Sequence, residues 1–176
     1  MKKVLFALIL LVGTSSAFAQ INKGQWLVGG NAGFTSSKWG EEKNTSFEFS
    51  PDAGYFFAKQ FAGGLRASIT SSKDDGDDDA YSSLLVAPFL RYYFMPAAQK
   101  VSIFADASYG FGSQGAGDKT SVSGFKFMAG PAVFLSPNTA LEFTLGYQSL
   151  KMEDVDDRAN SFGVNVGFQI HLGKSK

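Results

Sequence analysis

The sequence has no cysteine and only one histidine among its 176 residues. Without cysteine, neither a disulfide framework nor a lipid-modified N-terminal cysteine is available, so the fold alone has to stabilise the chain. Lysine and arginine together number 16, as do aspartate and glutamate, so the formal net charge is zero. Because binding to a phosphate backbone requires a basic excess, this balance argues against nucleic acid as a partner.

Long apolar runs are also missing after the N-terminal segment. Met1-Lys2-Lys3 is a basic start, residues 4–12 form an apolar run too short to cross a bilayer, and Ala17-Phe18-Ala19 has the A-x-A pattern of a cleavage site. These parts predict a secretory signal peptide over residues 1–19 and one mature domain over residues 20–176. The alternative is an N-terminal membrane anchor, which the small and polar end of the run disfavours.

Phenylalanine and glycine are abundant, at 18 and 20 residues, although the overall hydropathy is unremarkable. This combination is typical of a transmembrane β-barrel, which places apolar residues at alternate positions. The alternation recurs in eight stretches of about ten residues, the length of a tilted membrane crossing, and no apolar face carries a charge. We therefore predict an all-β fold, an eight-stranded antiparallel up-and-down transmembrane β-barrel.

Aromatic residues gather at both ends of the apolar face. Membrane barrels carry such girdles at the two interfaces with water. The set near the short turns is Trp26, Tyr55, Phe57, Phe61, Tyr92, Phe94 and Phe168, and the set near the longer connections is Phe34, Phe47, Tyr109, Phe111, Phe125, Tyr147 and Phe162.

Alternation alone leaves open which face lies inside. A secreted, soluble barrel of the lipocalin type would enclose the apolar set and expose the polar one. The aromatic girdles favour the membrane arrangement. The many glycine and serine residues on the opposite face favour it too, because small side chains fit the narrow interior of an eight-stranded barrel.

The last predicted strand, residues 161–172, alternates most regularly. Since lipid does not tolerate an open sheet edge, this strand has to close the barrel against the first one. Its polar residue, glycine and two closing apolar residues resemble the C-terminal assembly signal of bacterial outer-membrane barrels. These residues are Asn165, Gly167, Ile170 and Leu172.

Up to Leu172 the whole chain resembles the small outer-membrane barrels of the OmpX and OmpA transmembrane-domain type. The phrases that carry the resemblance are Gly54-Tyr55-Phe56-Phe57, residues 88–94 (PFLRYYF) and the closing strand. The resemblance implies a location in the bacterial outer membrane, with outer-membrane lipid, lipopolysaccharide and the barrel assembly machinery as partners. It implies architecture more than activity, since the family includes adhesion-related, structural and stress-associated proteins and a few lipid-modifying enzymes.

The connections between strands alternate in length. Residues 36–45, 71–80, 112–121 and 149–160 are long and polar, and the connections between them are short. Short turns face the periplasm in such barrels and long loops face outward, so we expect these four segments to be external loops.

Charged residues of both signs fall on the predicted inward face. Because unpaired buried charge costs several kcal/mol, these groups should pair across the lumen. One interpretation is a gate or an ion path. We favour a polar core that fills the lumen, because large side chains leave little bore in a barrel of eight strands. The expected pairs are Asp52 with Arg66, Arg91 with Asp106 or Glu142, and Lys126 with Glu48 or Glu142.

An acidic run occupies the second long connection, at Asp74, Asp75, Asp77, Asp78 and Asp79. Clustered carboxylates bind calcium or magnesium in some proteins. The run lacks the order of a calcium-binding loop, so we interpret it as a solvated loop and retain a metal site only as a weak candidate.

Three prolines, Pro51, Pro88 and Pro131, recur on the outward face of alternate strands. Proline removes a donor from the hydrogen-bond ladder, so bulges or irregular pairing are expected at these positions.

No set of catalytic residues or cofactor motif is present. The single histidine, His171, falls inward near the turn end of the last strand, where we expect a satisfied interior or turn-end residue. We therefore predict a non-enzymatic outer-membrane barrel with a filled polar interior. It acts as a structural or surface-interaction protein through its four external loops, which are the site for an external protein or surface ligand. The alternatives are a narrow channel for ions or small solutes, a lipid-modifying barrel enzyme and a secreted lipocalin-like binder.

Overall fold

The computed structural model describes residues 21–39, 42–72, 81–94, 100–115, 119–153, 155 and 157–173. Within these residues no helix is long and apolar enough to cross a bilayer. The described residues form eight strands in sequence. They are β1 (Trp26–Trp39), β2 (Glu42–Ala58), β3 (Phe61–Ser72), β4 (Tyr81–Tyr93), β5 (Val101–Gly115), β6 (Thr120–Ser136), β7 (Thr139–Met152) and β8 (Arg158–Leu172).

The strands form a closed barrel. Each strand pairs antiparallel with the next, and β8 pairs antiparallel with β1. The prediction of an eight-stranded, antiparallel, up-and-down barrel is therefore confirmed.

The stagger of the strands follows from their register. Cross-strand partners traced once round the barrel lead from Trp26 to Ser36, ten residues further along β1. With eight strands, this stagger implies a strand tilt of roughly 40° from the barrel axis. The steps are Trp26, Tyr55, Gly63, Leu90, Ala107, Phe127, Tyr147, Phe162 and Ser36.

The apolar face of the strands lies on the outer wall. Leu145 and Phe162 each keep 71% of their surface exposed, while inward-facing neighbours such as Thr144 and Asn165 are buried. The soluble alternative, in which the apolar set lines the lumen, is therefore wrong.

Several strands continue beyond the apolar alternation. In the first hairpin β1 reaches Trp39 and β2 begins at Glu42, and in the fourth β7 reaches Met152 and β8 begins at Arg158. The prediction of loops over residues 36–45, 112–121 and 149–160 is thus wrong for most of these residues. Ladder hydrogen bonds also form where both faces are polar, but such segments show no hydrophobic period in the sequence.

Each of the three prolines interrupts the ladder on one side only. Pro51 pairs in register with Gly30 of β1, whereas the described pairs between β2 and β3 skip Ser50 and Pro51. Pro88 leaves the same gap between β4 and β5, and Pro131 leaves it between β6 and β7. The missing proline N–H accounts for the one-sided gap.

The register is the same on both sides of each proline gap, so no extra residue is inserted. The expectation of bulges or irregular pairing at the prolines is therefore met by irregular pairing, without bulges. Register shifts occur instead beside two short turns, between Phe56 and Ala58 and between Phe134 and Ser136.

The interior is not polar throughout. Near the turn end it contains a buried, mainly apolar group that we call the apolar end layer. The sequence did not predict this layer, because a few large apolar residues on an otherwise small and polar face do not change the two-residue hydrophobic period. Its members are Ile21, Leu27, Phe56, Ala62, Phe89, Tyr93, Phe104, Ala132, Phe134 and Ala140.

Candidate functional site

Five charged side chains meet inside the barrel and form what we call the mid-barrel cluster. They come from five different strands, because each alternates with lipid-side apolar neighbours and so points inward. None is more than 5% exposed. The members are Asp52, Arg66, Arg91, Asp106 and Glu142.

Arg66 joins two of the carboxylates. Its Nη1 and Nη2 donate to the two carboxylate oxygens of Asp106, each at 3.0 Å. Nη2 also donates to Asp52 Oδ2 at 3.2 Å, which is the pair expected from the sequence. The bidentate contact with Asp106 was not expected, because alternation fixes the face of a residue but not its reach across the lumen.

Arg91 contacts both of the acids that the sequence left as alternatives. Its Nε donates to Asp106 Oδ2 at 3.0 Å, and its Nη1 donates to the two Glu142 oxygens at 3.0 and 3.1 Å. Tyr93 donates its hydroxyl to Glu142 Oε1 at 3.1 Å. Such charge-assisted bonds are the strong ones in a desolvated site.

Two aromatic rings pack against the guanidinium groups of Arg66 and Arg91. Both guanidiniums lie near the Phe89 ring, whose centroid is 4.9 Å from Arg66 Cζ and 5.7 Å from Arg91 Cζ. Phe104 lies 4.6 Å from Arg91 Cζ. These contacts add cation–π attraction and restrict the two arginines to one arrangement.

A separate ion pair lies nearer the loop end. Lys126 Nζ donates to the two oxygens of Glu48 at 2.7 and 2.9 Å, so Lys126 pairs with Glu48 and not with Glu142. Ser50 also donates to Glu48 Oε1. The Lys126 side chain is 15% exposed. A pocket with room for about one water molecule opens beside it, lined by Lys126, Gly146, Gln148, Ser161, Gly163 and Asn165.

His171 packs against residues of the apolar end layer and is 2% exposed. Its ring centroid is 5.6 Å from that of Phe56, 6.0 Å from Tyr93 and 5.5 Å from Phe134. The interior, turn-end position is as expected. The expected hydrogen bonding is not found, since neither ring nitrogen has a partner among the described residues.

The pairing of β8 with β1 brings amide side chains opposite glycines. A methyl group added at Gly33 would overlap Asn165 Oδ1, and one added at Gly167 would overlap Asn31 Oδ1. Each amide thus fills the space that the glycine opposite leaves open. We call this set the closing seam, and its register pairs are Gly29 with Gln169, Asn31 with Gly167, and Gly33 with Asn165.

Two of the four residues predicted to form the assembly signal, Asn165 and Gly167, belong to the closing seam. The other two, Ile170 and Leu172, have the outward parity of β8, and Leu172 is 49% exposed. Recognition of these residues by the assembly machinery stays a prediction.

The predicted girdle residues lie on the outer wall at the two ends of the barrel. Near the turns Phe57, Phe61, Tyr92 and Phe94 form a continuous row, with successive ring centroids 4.9, 6.0 and 5.0 Å apart. Phe61, Phe125 and Tyr147 are half-buried by neighbours, and the other girdle residues are exposed. Their position at a lipid interface is an inference from this placement.

The weak metal candidates Asp74, Asp75, Asp77, Asp78 and Asp79 lie outside the described residues. In the part of the chain that is described, no three histidine, aspartate or glutamate side chains are grouped as metal ligands.

An exposed apolar wall around a core of paired charges is the reverse of a soluble protein. This arrangement defines an integral membrane β-barrel, since such a wall is stable only against lipid.

Residues 4–169 match the outer membrane protein beta-barrel domain, and the chain belongs to this family. The family locates the protein in the bacterial outer membrane. A comparison with curated protein sequences gives no match.

Solved barrels share the fold at low sequence identity. Neisserial surface protein A (NspA) superposes with a TM-score of 0.71 at 14% identity, over 85% of this chain and 100% of that one. The N-terminal barrel of Pseudomonas aeruginosa OprF has a TM-score of 0.57 at 13% identity, over 84% and 98% of the two chains. Yersinia pestis Ail, in complex with the heparin analogue sucrose octasulfate, has 0.56 at 15%, over 85% and 99%.

Proposed function

We propose that this protein is a sealed outer-membrane anchor that acts as a structural or surface-interaction protein through its external hairpins. The observation that supports this proposal is the filled interior. The mid-barrel cluster and the apolar end layer follow each other along the axis, and both consist of buried, mutually packed side chains. Because side chains fill the lumen, the hairpins are the part of the barrel that can bind a partner.

The chemistry of the hairpins favours a cationic partner. The second connection carries five aspartates within residues 74–79, and Glu153 and Asp157 of the fourth hairpin are exposed. Negative clusters attract basic protein surfaces and bind surfaces bridged by divalent cations. The solved structure of Ail is a complex with a heparin analogue, sucrose octasulfate, which is an anion. In this chain the acidic hairpins favour the opposite charge.

Bacteria that display the protein can be tested for binding to polylysine-coated beads. Changing Asp74, Asp75, Asp77, Asp78 and Asp79 to Asn should lower bead capture at least about fivefold, because the attraction is electrostatic. A variant with the order of residues 73–79 scrambled keeps the charge and should bind like the wild type. Unchanged capture by the Asn variant contradicts the acidic hairpin as the interaction site.

A second candidate function is a narrow ion path along β7, β8 and β1. Three buried polar atoms on this side have no hydrogen-bond partner in the described structure, namely Asn31 Nδ2, Thr144 Oγ1 and Gln169 Oε1. A file of water molecules connected to the loop-end pocket would satisfy them. Steady ion current across a bilayer distinguishes this path from a sealed anchor.

We infer that the protein does not catalyse lipid modification. Its one histidine is enclosed by aromatic rings near the turns, and the turns of such barrels face the periplasm, away from the external leaflet. Mass spectrometry of lipid A from cells with and without the protein should give identical mass profiles. A new lipid A species that depends on the protein would contradict this inference.

We also propose that residues 1–19 are a cleaved signal peptide and that the end of β8 is read by the barrel assembly machinery. The intact mass of protein extracted from outer membranes should then correspond to a chain beginning at Gln20. Changing Ile170 and Leu172 to Ser should reduce the amount of protein recovered in the outer membrane. A full-length mass contradicts cleavage, and unchanged recovery contradicts the assembly role.

A further inference from the structure

The charges of the mid-barrel cluster do not balance. Its three carboxylates are those of Asp52, Asp106 and Glu142, and its two cations are Arg66 and Arg91. Within the described structure, every ion pair that these five residues form lies inside the cluster. With all five groups ionised, the cluster would carry one excess negative charge in a space without bulk water. Burial of such a charge is strongly unfavourable.

The charged groups on either side along the lumen do not supply the missing positive charge. Toward the loops, Lys126 is paired with Glu48, and that pair is neutral. Toward the turns, the cluster is followed by the apolar end layer, whose members are uncharged. Lys100 has inward parity just before β5 at this end, and the ion pairs of the cluster do not include it. The excess charge therefore has to be removed within the cluster or at His171.

A positive charge on His171 is disfavoured by its surroundings. The ring packs against the rings of Phe56, Tyr93 and Phe134, and neither ring nitrogen has a hydrogen-bond partner among the described residues. A protonated imidazole would leave two N–H donors unsatisfied in addition to its buried charge. The neutral ring is therefore favoured, and the balancing proton belongs on a carboxylate of the cluster.

The three carboxylates differ in the charged donors that they receive. Asp106 accepts from Arg66 Nη1 and Nη2 and from Arg91 Nε, each at 3.0 Å. Asp52 accepts from Arg66 Nε and Nη2 at 3.3 and 3.2 Å. Among the described residues, Glu142 accepts from a single charged nitrogen, Arg91 Nη1, which its two oxygens share. Glu142 therefore has the least compensation for a negative charge.

The immediate surroundings of Glu142 suit a neutral carboxyl group. The residue is fully buried, and its register partners Ala132 and Gly167 are uncharged. Tyr93 Oη lies 3.1 Å from Glu142 Oε1. A hydroxyl can act as donor or acceptor, so this contact is compatible with a protonated carboxyl group.

We propose that Glu142 binds a proton at neutral pH and is a neutral carboxyl group in the folded barrel. The cluster then contains two negative and two positive charges. The unfolded chain loses this proton above about pH 4.3, whereas the folded barrel keeps it, so a rise in pH favours the unfolded state. The proton thus links the stability of the barrel to pH. This inference does not depend on the proposed function of the hairpins.

The test compares the wild type with Glu142→Gln by urea unfolding in lipid vesicles at about pH 5 and about pH 7. Glutamine has the shape of a protonated glutamate, and the other titrating groups, His171 included, cancel in the ratio of the two unfolding equilibrium constants. The ratio of wild type to variant should rise at least about tenfold between these pH values, because one proton changes it by up to about tenfold per pH unit. At neutral pH the variant should be the more stable protein.

Asp106→Asn is the matched control, since it removes one charge from a carboxylate that accepts three guanidinium N–H bonds. It should raise the unfolding equilibrium constant at least about tenfold in the more acidic buffer, because its amide places N–H donors against both arginines. Infrared spectroscopy gives a second readout. At neutral pH the wild type should show the C=O stretch of a protonated carboxyl group, and Glu142→Gln should lack it.

An ionised Glu142 would give the opposite pattern. The ratio would be the same at both pH values, Glu142→Gln would be less stable than the wild type at neutral pH, and the infrared band would be missing from the wild type. Each of these results would overturn the proposal. Failure of Glu142→Gln to fold would overturn it as well, because the barrel should accept a neutral side chain of the same shape.

Discussion

Arg91 is the side chain on which the barrel interior depends most. Besides its hydrogen bonds to Asp106 and Glu142, its Nη2 lies 3.9 Å from Asp52 Oδ2, and the residue is fully buried. A single guanidinium thus neutralises parts of three carboxylates in a space without bulk water. Removing one partner of a buried ion pair is far more costly than removing both, because the remaining charge stays buried.

Changing Arg91 to Met should therefore lower the free energy of unfolding by about 3–5 kcal/mol. The measurement is urea unfolding of the protein refolded in lipid vesicles, followed by tryptophan fluorescence. Lys126→Met is the matched control and should cost clearly less, because the Lys126 side chain is 15% exposed and water reaches its partner Glu48. Equal losses in the two variants would contradict the special role of the mid-barrel cluster.

Sequence parity predicted which charges share the lumen, but not all of their contacts. The pair of Asp52 with Arg66 follows from register alone, since the two residues are cross-strand partners. The contact of Arg66 with Asp106 crosses from β3 to β5 and depends on the reach of the side chains. The contact of Phe89 with both guanidiniums was missed for the same reason.

The closing seam determines the register between the first and last strands. Gly167 lies opposite Asn31, and Gly33 lies opposite Asn165, so each amide fits only where the neighbouring strand has no side chain. Shifting β8 by two residues would place amides against amides and glycines against glycines. Two residues of the predicted assembly signal therefore also have a packing role in the finished barrel.

Gly167→Ala should destabilise the barrel by about 1–3 kcal/mol, the usual cost of overpacking. Adding Asn31→Ala should recover part of this loss, because Asn31 Oδ1 is the atom that the new methyl group meets. Gly146→Ala is the control and should be tolerated, since the added methyl group would lie at ordinary contact distances of 3.4 Å or more from its nearest neighbours. Urea unfolding in vesicles measures all three. If adding Asn31→Ala does not recover any of the lost stability, the overlap with Asn31 in the closing seam is not the cause of the destabilisation by Gly167→Ala.

The proline gaps give β2, β4 and β6 the same local irregularity. Each gap leaves the ladder open on one side without changing the register. Replacing the proline adds a backbone N–H donor, which should complete the hydrogen-bond ladder locally. The same change raises the conformational entropy of the unfolded chain, which lowers the stability of the fold. The two effects oppose each other in the global stability.

Pro88→Val should slow amide hydrogen exchange in the segments 87–88 and 109–110 at least about tenfold. The free energy of unfolding should change by less than about 1 kcal/mol, because a new hydrogen bond of about 0.5–1.5 kcal/mol is offset by the unfolded-state entropy. Pro137 lies in the turn between β6 and β7, so Pro137→Val should not alter exchange in the strands. Unchanged exchange in the Pro88 variant would show that the gap has another cause.

For the whole molecule, alternation predicted the strand number, the closure and the face turned to lipid, because period two is strict wherever one face meets hydrocarbon. The hydrophobic alternation is confined to the segments with an apolar outer face, so it missed the continuation of β1, β2, β7 and β8 beyond that wall. The alternation also did not predict the apolar end layer, since a two-residue period gives no information on the position of a residue along the barrel axis. Together with the mid-barrel cluster, this layer supports the proposal of a closed anchor.

The most direct test of the closed anchor is single-channel recording of the refolded protein in a planar lipid bilayer. The filled interior predicts no steady current steps above the bilayer baseline, in wild type and in the Lys126→Met variant alike. Steady, wide-open current steps in the wild type would contradict the closed anchor and support the ion path along β7, β8 and β1.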